Sequence, residues 1–111
     1  MRRKGKLMTK RTGIAAQPIG TPVIVTTEYR GVFFGYATDT SGETITLTDA
    51  RNCIYWSAAT GGFMGLAATG PAAGSKIGAR VSSIELRKVT AVLKMTPTAV
   101  EAWEAASVST K

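Results

Sequence analysis

Residues 51–62 (Arg-Asn-Cys-Ile-Tyr-Trp-Ser-Ala-Ala-Thr-Gly-Gly) gather a guanidinium, an amide, two large aromatic rings, two hydroxyls and a glycine pair into one short segment. Rings that stack, an arginine fork and backbone amides freed by glycine are the parts of a nucleotide-type site. Strand alternation turns one of Tyr55 and Trp56 into the core and leaves the other outward. The candidate ligand-binding residues are therefore Arg51, Asn52, Tyr55, Trp56, Ser57, Thr60, Gly61 and Gly62.

A second candidate is electrostatic. Residues 1–11 carry Arg2, Arg3, Lys4, Lys6, Lys10 and Arg11 and no acid. The remaining 100 residues carry eight basic and seven acidic groups, so almost the whole formal charge of +7 sits in the first segment. Such an arm suits phosphates or an acidic protein surface, whereas an evenly basic body would mark a folded nucleic-acid face.

Other chemistry is excluded or weak. With no histidine in the chain, the Ser-His-Asp and Cys-His arrangements and every His-based zinc site are ruled out. Asp39 and Glu43 flank a tight turn and Asp49 lies near a strand end, where carboxylates serve turn amides. Cys53, the single cysteine, lies in an apolar strand and reads as an inert core residue. No Walker or dinucleotide fingerprint is present. The expectation is a protein that is not an enzyme and uses no metal or cofactor. No apolar run approaches the ~18 residues of a membrane span, and the basic start lacks the apolar stretch of a signal peptide. The expected setting is a cytoplasm.

The elements that must hold these residues follow from periodicity. Val23, Val25 and Thr27 alternate with Ile24, Thr26 and Glu28, a strand pattern. Tyr29-Arg30-Gly31 is a turn, and Gly31 to Thr38 a second strand that its two glycines allow to bend sharply. Asp39 to Glu43 is a hairpin turn, and Glu43 to Asp49 a third strand with Ile45 and Leu47 on one face. A break at Ala50-Arg51-Asn52 precedes a fourth strand, Cys53 to Trp56. Ser57 is placed to cap a short helix carrying Phe63, Met64, Leu66 and Ala67 on one face. Lys76 to Val81 and Ile84 to Met95 are strands, the latter bulged near Arg87-Lys88. Thr96, Pro97 and a Thr98-x-x-Glu101 capping box open a closing helix over about 97–107. Its buried stripe is Ala99, Val100, Trp103 and Ala106, with Glu101 and Glu104 outside. Residues 1–20 form an arm and linker, and residues 21–111 a single β-rich domain. The fold class is mainly β (α+β): a small, strongly bent antiparallel sheet or barrel of about 5–6 strands with a C-terminal helix.

The blocks Tyr-Arg-Gly-Val-Phe-Phe-Gly-Tyr, Leu-Thr-Asp-Ala-Arg-Asn, Ile-Tyr-Trp-Ser and Gly-Leu-Ala-Ala-Thr-Gly-Pro, in that order, resemble a family of small bacteriophage proteins classed as a domain of unknown function. The resemblance runs from about Val23 to Ala105 and omits the basic arm. It implies a phage origin, expression in the bacterial host cytoplasm and no established activity. Gly31-Val-Phe-Phe-Gly35, Asp39 and the Ile45/Leu47 strand are also similar to the bent-strand signature of Sm-like RNA-binding barrels, without the asparagine of that signature's central strand.

Three functions suit these features. The first is a non-enzymatic phage accessory protein that binds a nucleotide-type ligand, for example to sequester a host defence signal. The second is a virion component whose arm lies on a neighbouring capsid or tail subunit or on DNA. The third is a nucleic-acid-binding regulator that uses arm and aromatics together. A sheet with one helix leaves edges open and faces bare, so a homo-oligomer is expected.

Overall fold

The computed structural model describes residues 20–28 and 31–109. The basic arm, most of the linker, and the Tyr29-Arg30 part of the expected turn lie outside the described residues.

Among the described residues, six strands and two α-helices follow one another as β1 (Thr21–Thr27), β2 (Val32–Ala37), β3 (Ile45–Tyr55), α1 (Gly62–Ala68), β4 (Lys76–Ile77), β5 (Val81–Leu86), β6 (Val89–Lys94) and α2 (Pro97–Ala105). A short 3-10 turn, Ala58–Thr60, precedes α1. The sheet order is β4-β3-β2-β1-β6, with β5 lying beside the first half of β3 where β4 lies beside the second. Every ladder is antiparallel. Only Arg87 and Lys88 separate β5 from β6, although these strands pair at opposite sides of the sheet. The sheet must therefore curl on itself, without closing through a further ladder. Lys88 turns this corner with φ of 58°.

The curl produces two cores, because strands alternate their side chains between faces. Val23, Val25, Ala37, Ile45, Leu47, Ala50 and Leu86 fill the inside of the bend. Ile24, Val32, Phe34, Tyr36 and Ile77 face the other way and are covered by Leu66 and Ala67 of α1 and Trp103 of α2. Trp103 is fully buried, stacks on Phe34 with ring centroids 5.2 Å apart, and donates from Nε1 to the Leu66 carbonyl at 3.1 Å. Four successive residues of β1, Val23–Thr26, are buried, as expected of a strand packed on both faces.

The strand expected to break at Ala50-Arg51-Asn52 instead runs unbroken from Ile45 to Tyr55. Phe34 pairs with Arg51 and Tyr36 with Thr48, so Asp49 and Ala50 together oppose Gly35. This is a β-bulge, with Asp49 at φ of 50°, and it lets the chain bend without ending the strand. Gly35 is required at its centre, since a Cβ there would lie 2.8 Å from the Leu47 Cβ.

Three other expectations change. Ser57 does not cap α1, which starts at Gly62 after a left-handed Gly61 and has no side-chain cap; Phe63 and Met64 are exposed, and Leu66 and Ala67 carry the buried face. Lys76 to Val81 divides into the short β4 and the start of β5. In α2, Thr96 alone is the N-cap, accepting from the Ala99 N–H at 3.0 Å, so Thr98 and Glu101 form no capping box. The helix ends at Ala105, two residues short of the expected boundary. Asp39 behaves as expected, accepting from the Ser41 N–H and Oγ at 2.9 and 2.7 Å, and these bonds hold its pKa below the ordinary value. Among the described residues, no helix is long and apolar enough to cross a membrane.

Candidate functional site

The bulge decides where the candidate segment points. Ile45, Leu47 and Ala50 lie in the inner core, but the extra residue reverses the alternation, so Arg51 and Cys53 face the helices. Arg51 is 3% exposed. Its Nε donates to the Gly78 carbonyl at 2.9 Å, and its Nη1 donates to the carbonyls of Trp103 at 2.7 Å and Ala106 at 2.8 Å. Those last two oxygens stand at the C-terminal end of α2, where Trp103's also accepts from the N–H of the cap residue Ala106 at 3.3 Å and the helix dipole favours a cation. Arg51 is thus the C-terminal cap of α2 and the clamp that fastens it to the sheet. Burial, helped by the nearby Arg80 charge and opposed by Glu104, pushes its pKa down; a guanidinium still stays charged at physiological pH.

A polar cluster borders this clamp. Glu104, expected outside, leans toward the sheet: it accepts from Tyr36 Oη at 2.5 Å on one oxygen and from Arg80 Nη2 at 2.7 Å on the other. Arg80 also donates to the Asp49 carbonyl at 3.3 Å. Sequence reasoning missed Tyr36, Arg80 and Glu104 as partners because they come from three separate elements. No spacing along the chain signals their meeting.

The other residues of the segment go different ways. Trp56 is half-buried against the helix-side core, while Tyr55 is 54% exposed, so one ring goes each way as expected. Strict alternation would have put Tyr55 on the side of Cys53, but the β3–β4 register shifts between Cys53 and Tyr55 and the strand ends there. Tyr55 stands opposite Lys76 in the β3–β4 ladder, and both are exposed. Asn52 is exposed, and its carbonyl accepts from the Gly78 N–H at 2.9 Å. Ser57 and Thr60 turn toward Ser75: the Ser57 N–H donates to Ser75 Oγ at 3.0 Å, and Thr60 Oγ1 lies 3.1 Å from that oxygen. Thr60 Oγ1 also accepts from the Ala72 N–H at 3.1 Å. These hydroxyls tie two loops together. Gly61 and Gly62 both adopt positive φ, with open space where a Cβ would stand. Cys53 is half-buried, and burial raises its thiol pKa to about 11.

The structure therefore keeps Asn52 and Tyr55 outward and brings Lys76 beside Tyr55, but it withdraws Arg51, Ser57 and Thr60 into internal contacts. The cleft next to Arg51 and Asn52, lined also by Phe33, Ala79, Val81 and Ile84, holds about 150 Å³. Small-molecule sites usually need about 300 Å³ or more. Two larger clefts, of about 380 and 390 Å³, include none of Arg51, Tyr55 and Trp56.

No match is found among curated proteins. Residues 20–103, which span the whole sheet and α2 as far as Trp103, match a family described as a domain of unknown function, DUF6948. The chain belongs to that family.

Proposed function

We propose that this chain is a non-enzymatic nucleic-acid-binding protein, in which the basic arm holds phosphates and the exposed Tyr55 stacks on a base. The observation that carries this reading is the pairing of an outward aromatic ring with an outward cation, Tyr55 opposite Lys76, on an open surface. A ring with an adjacent ammonium serves a single strand well, since every base has a π-face and every step a phosphate. Asn52, exposed on the same strand, adds an amide able to donate and accept. A free nucleotide is served less well: the arginine that would grip its phosphate is bonded to three carbonyls, and the adjoining cleft is too small to enclose it.

The bacteriophage origin implied by the sequence resemblance gives this reading its setting, a chain made in a bacterial host and acting on viral or host nucleic acid. The same arm on packaged DNA would make the protein a virion component, and mass spectrometry of purified particles separates the two settings.

The test is fluorescence anisotropy with labelled single-stranded DNA and RNA. If the arm neutralises six phosphates, affinity falls roughly a thousandfold between about 50 and 200 mM salt. Removing residues 1–11 should abolish most of that salt dependence, and Tyr55→Ala should weaken what remains. A chain that binds neither polymer at low salt, or whose binding ignores both changes, overturns the reading.

A further inference from the structure

Six cations lie among the described residues, and four of them are engaged. Arg51 bonds three carbonyls, Arg80 pairs with Glu104, Arg87 with Glu85, and Lys88 lies 3.9 Å from Glu28. Lys76 and Lys94 have no hydrogen-bond or ion-pair partner among the described residues. Lys76 stands beside Tyr55 in the surface already described. Lys94 stands elsewhere, opposite Val23 in the β1–β6 ladder, and therefore on the inner face of the sheet. Thr21 is opposite Ala37 and shares that face.

Beyond Val23 and Ala37 the inside of the bend is not filled. A cleft of about 380 Å³ opens there, floored by those two residues and walled by Lys94, Thr21, Thr38 and Thr40. Its volume exceeds the ~300 Å³ at which small-molecule sites begin. Other hydroxyls of the fold bond one another, as Thr26 does Thr90 at 2.8 Å and Thr60 does Ser75 at 3.1 Å. Those of Thr21, Thr38 and Thr40 have no such partner among the described residues. No acid lines the cleft. Asp39, between two of its threonines in sequence, turns its carboxylate to the Ser41 N–H and Oγ.

We propose that this cleft binds a phosphate group, with Lys94 as its cation and the three threonine hydroxyls as donors. An ammonium without a carboxylate beside it selects an anion, and free hydroxyls match the several oxygens of a phosphate. A metal ion would lack the carboxylates it requires. The apolar floor accommodates the carbon atoms of an ester. For the source of the phosphate the proposal rests on the nucleic-acid reading: it is one phosphate of the bound strand. Thr21 fits that source, because the chain bearing the six cations of residues 1–11 enters the sheet there.

Amide NMR of the full chain, titrated with inorganic phosphate against chloride at equal ionic strength, tests the cleft by itself. Phosphate should shift Thr21, Thr38 and Thr40 in a saturable way, and Lys94→Gln should remove the shifts without lowering the melting temperature, since Lys94 is exposed. Anisotropy with a single-stranded oligonucleotide tests the source. Lys94→Gln should lower the salt slope by about 0.7 and the affinity roughly five- to tenfold near 50 mM salt. Lys88→Gln, which removes the same charge from a paired lysine, should change neither. Phosphate shifts that are absent or survive Lys94→Gln, or a Lys94→Gln chain that binds the strand as Lys88→Gln does, overturn the proposal. A chain that binds no oligonucleotide but keeps the Lys94-dependent phosphate shifts overturns the nucleic-acid reading and supports the phosphate site.

Discussion

Arg51 in β3 and Trp103 in α2 stand 52 residues apart in the chain, and a 2.7 Å hydrogen bond from Nη1 to the Trp103 carbonyl joins them. The contact uses both features of the tryptophan residue. Its ring seals the helix-side core against Phe34, while its carbonyl, which accepts from the Ala106 N–H at the helix end, also receives the buried cation. One arginine therefore closes the helix and positions the largest core side chain. A residue with the composition of a ligand contact acts here as a structural one.

Replacing Arg51 should accordingly damage the fold. Arg51→Ala takes the donor from the carbonyls of Gly78 and Ala106 and leaves Trp103's with the Ala106 N–H alone, and each buried orphan costs about 1–3 kcal/mol. We expect a loss of roughly 3–5 kcal/mol in denaturant unfolding. Arg51→Lys should recover little of it, because a single ammonium cannot reproduce the fork that reaches Gly78 from Nε and the helix end from Nη1. An alanine variant as stable as the wild type would show that α2 is held mainly by its apolar face.

The rings of Tyr55 and Trp56 should separate cleanly. Tyr55→Ala should leave the melting temperature nearly unchanged and cost about 1–3 kcal/mol in binding to a single-stranded oligonucleotide. Trp56→Ala, which removes a ring half-buried against the helix-side core, should cost about 2 kcal/mol of stability. Thermal melts and anisotropy on the same pair of variants check both halves.

Gly65 and Gly61 should respond differently to alanine. A Cβ on Gly65 would overlap the Thr60 carbonyl oxygen, so this helical glycine is where the 3-10 turn packs on α1. Gly65→Ala should cost about 2–3 kcal/mol through overpacking, despite alanine's better helix propensity. At Gly61 the space is open and only φ of 82° opposes a side chain. Gly61→Ala should cost about 1 kcal/mol. Urea melts should preserve that order.

Cys53 gives the pH dependence. Burial raises its thiol pKa to about 11, so the folded state prefers the neutral thiol more than the unfolded state does. The thiol's contribution is fully present below the unfolded pKa, near 8.5, and is lost as pH climbs from there through about 11. Half exposure limits the effect to about 1 kcal/mol. Wild type should lose stability relative to Cys53→Ala across that window, and native Cys53 should react with iodoacetamide at pH 8 far more slowly than in urea. Equal rates would show that the thiol is not shielded.

Much of the architecture was legible in local pattern. Val23–Thr27 and Ile45/Leu47 announced strands by alternating β-branched and apolar residues, a property of the pleat that needs no partner to be read. Asp39 and Ser41 announced their turn, and Thr96-Pro97 the start of α2, because caps and turns satisfy backbone groups within a few residues. That one ring of Tyr55-Trp56 is buried and the other exposed was legible too, although the register shift after Cys53, and not strict alternation, decides which. The tertiary structure alone decided which way Arg51 faces. The bulge at Asp49-Ala50 exists because Gly35, on another strand, leaves room for it, and one extra residue exchanges the two faces from Arg51 to Cys53. Local periodicity carries no record of that insertion. Nor does it record that the carbonyls of Trp103 and Ala106 stand at the helix end just where a guanidinium arrives. Those groups meet only when the sheet curls, and the meeting turns a candidate ligand contact into the clamp of the fold.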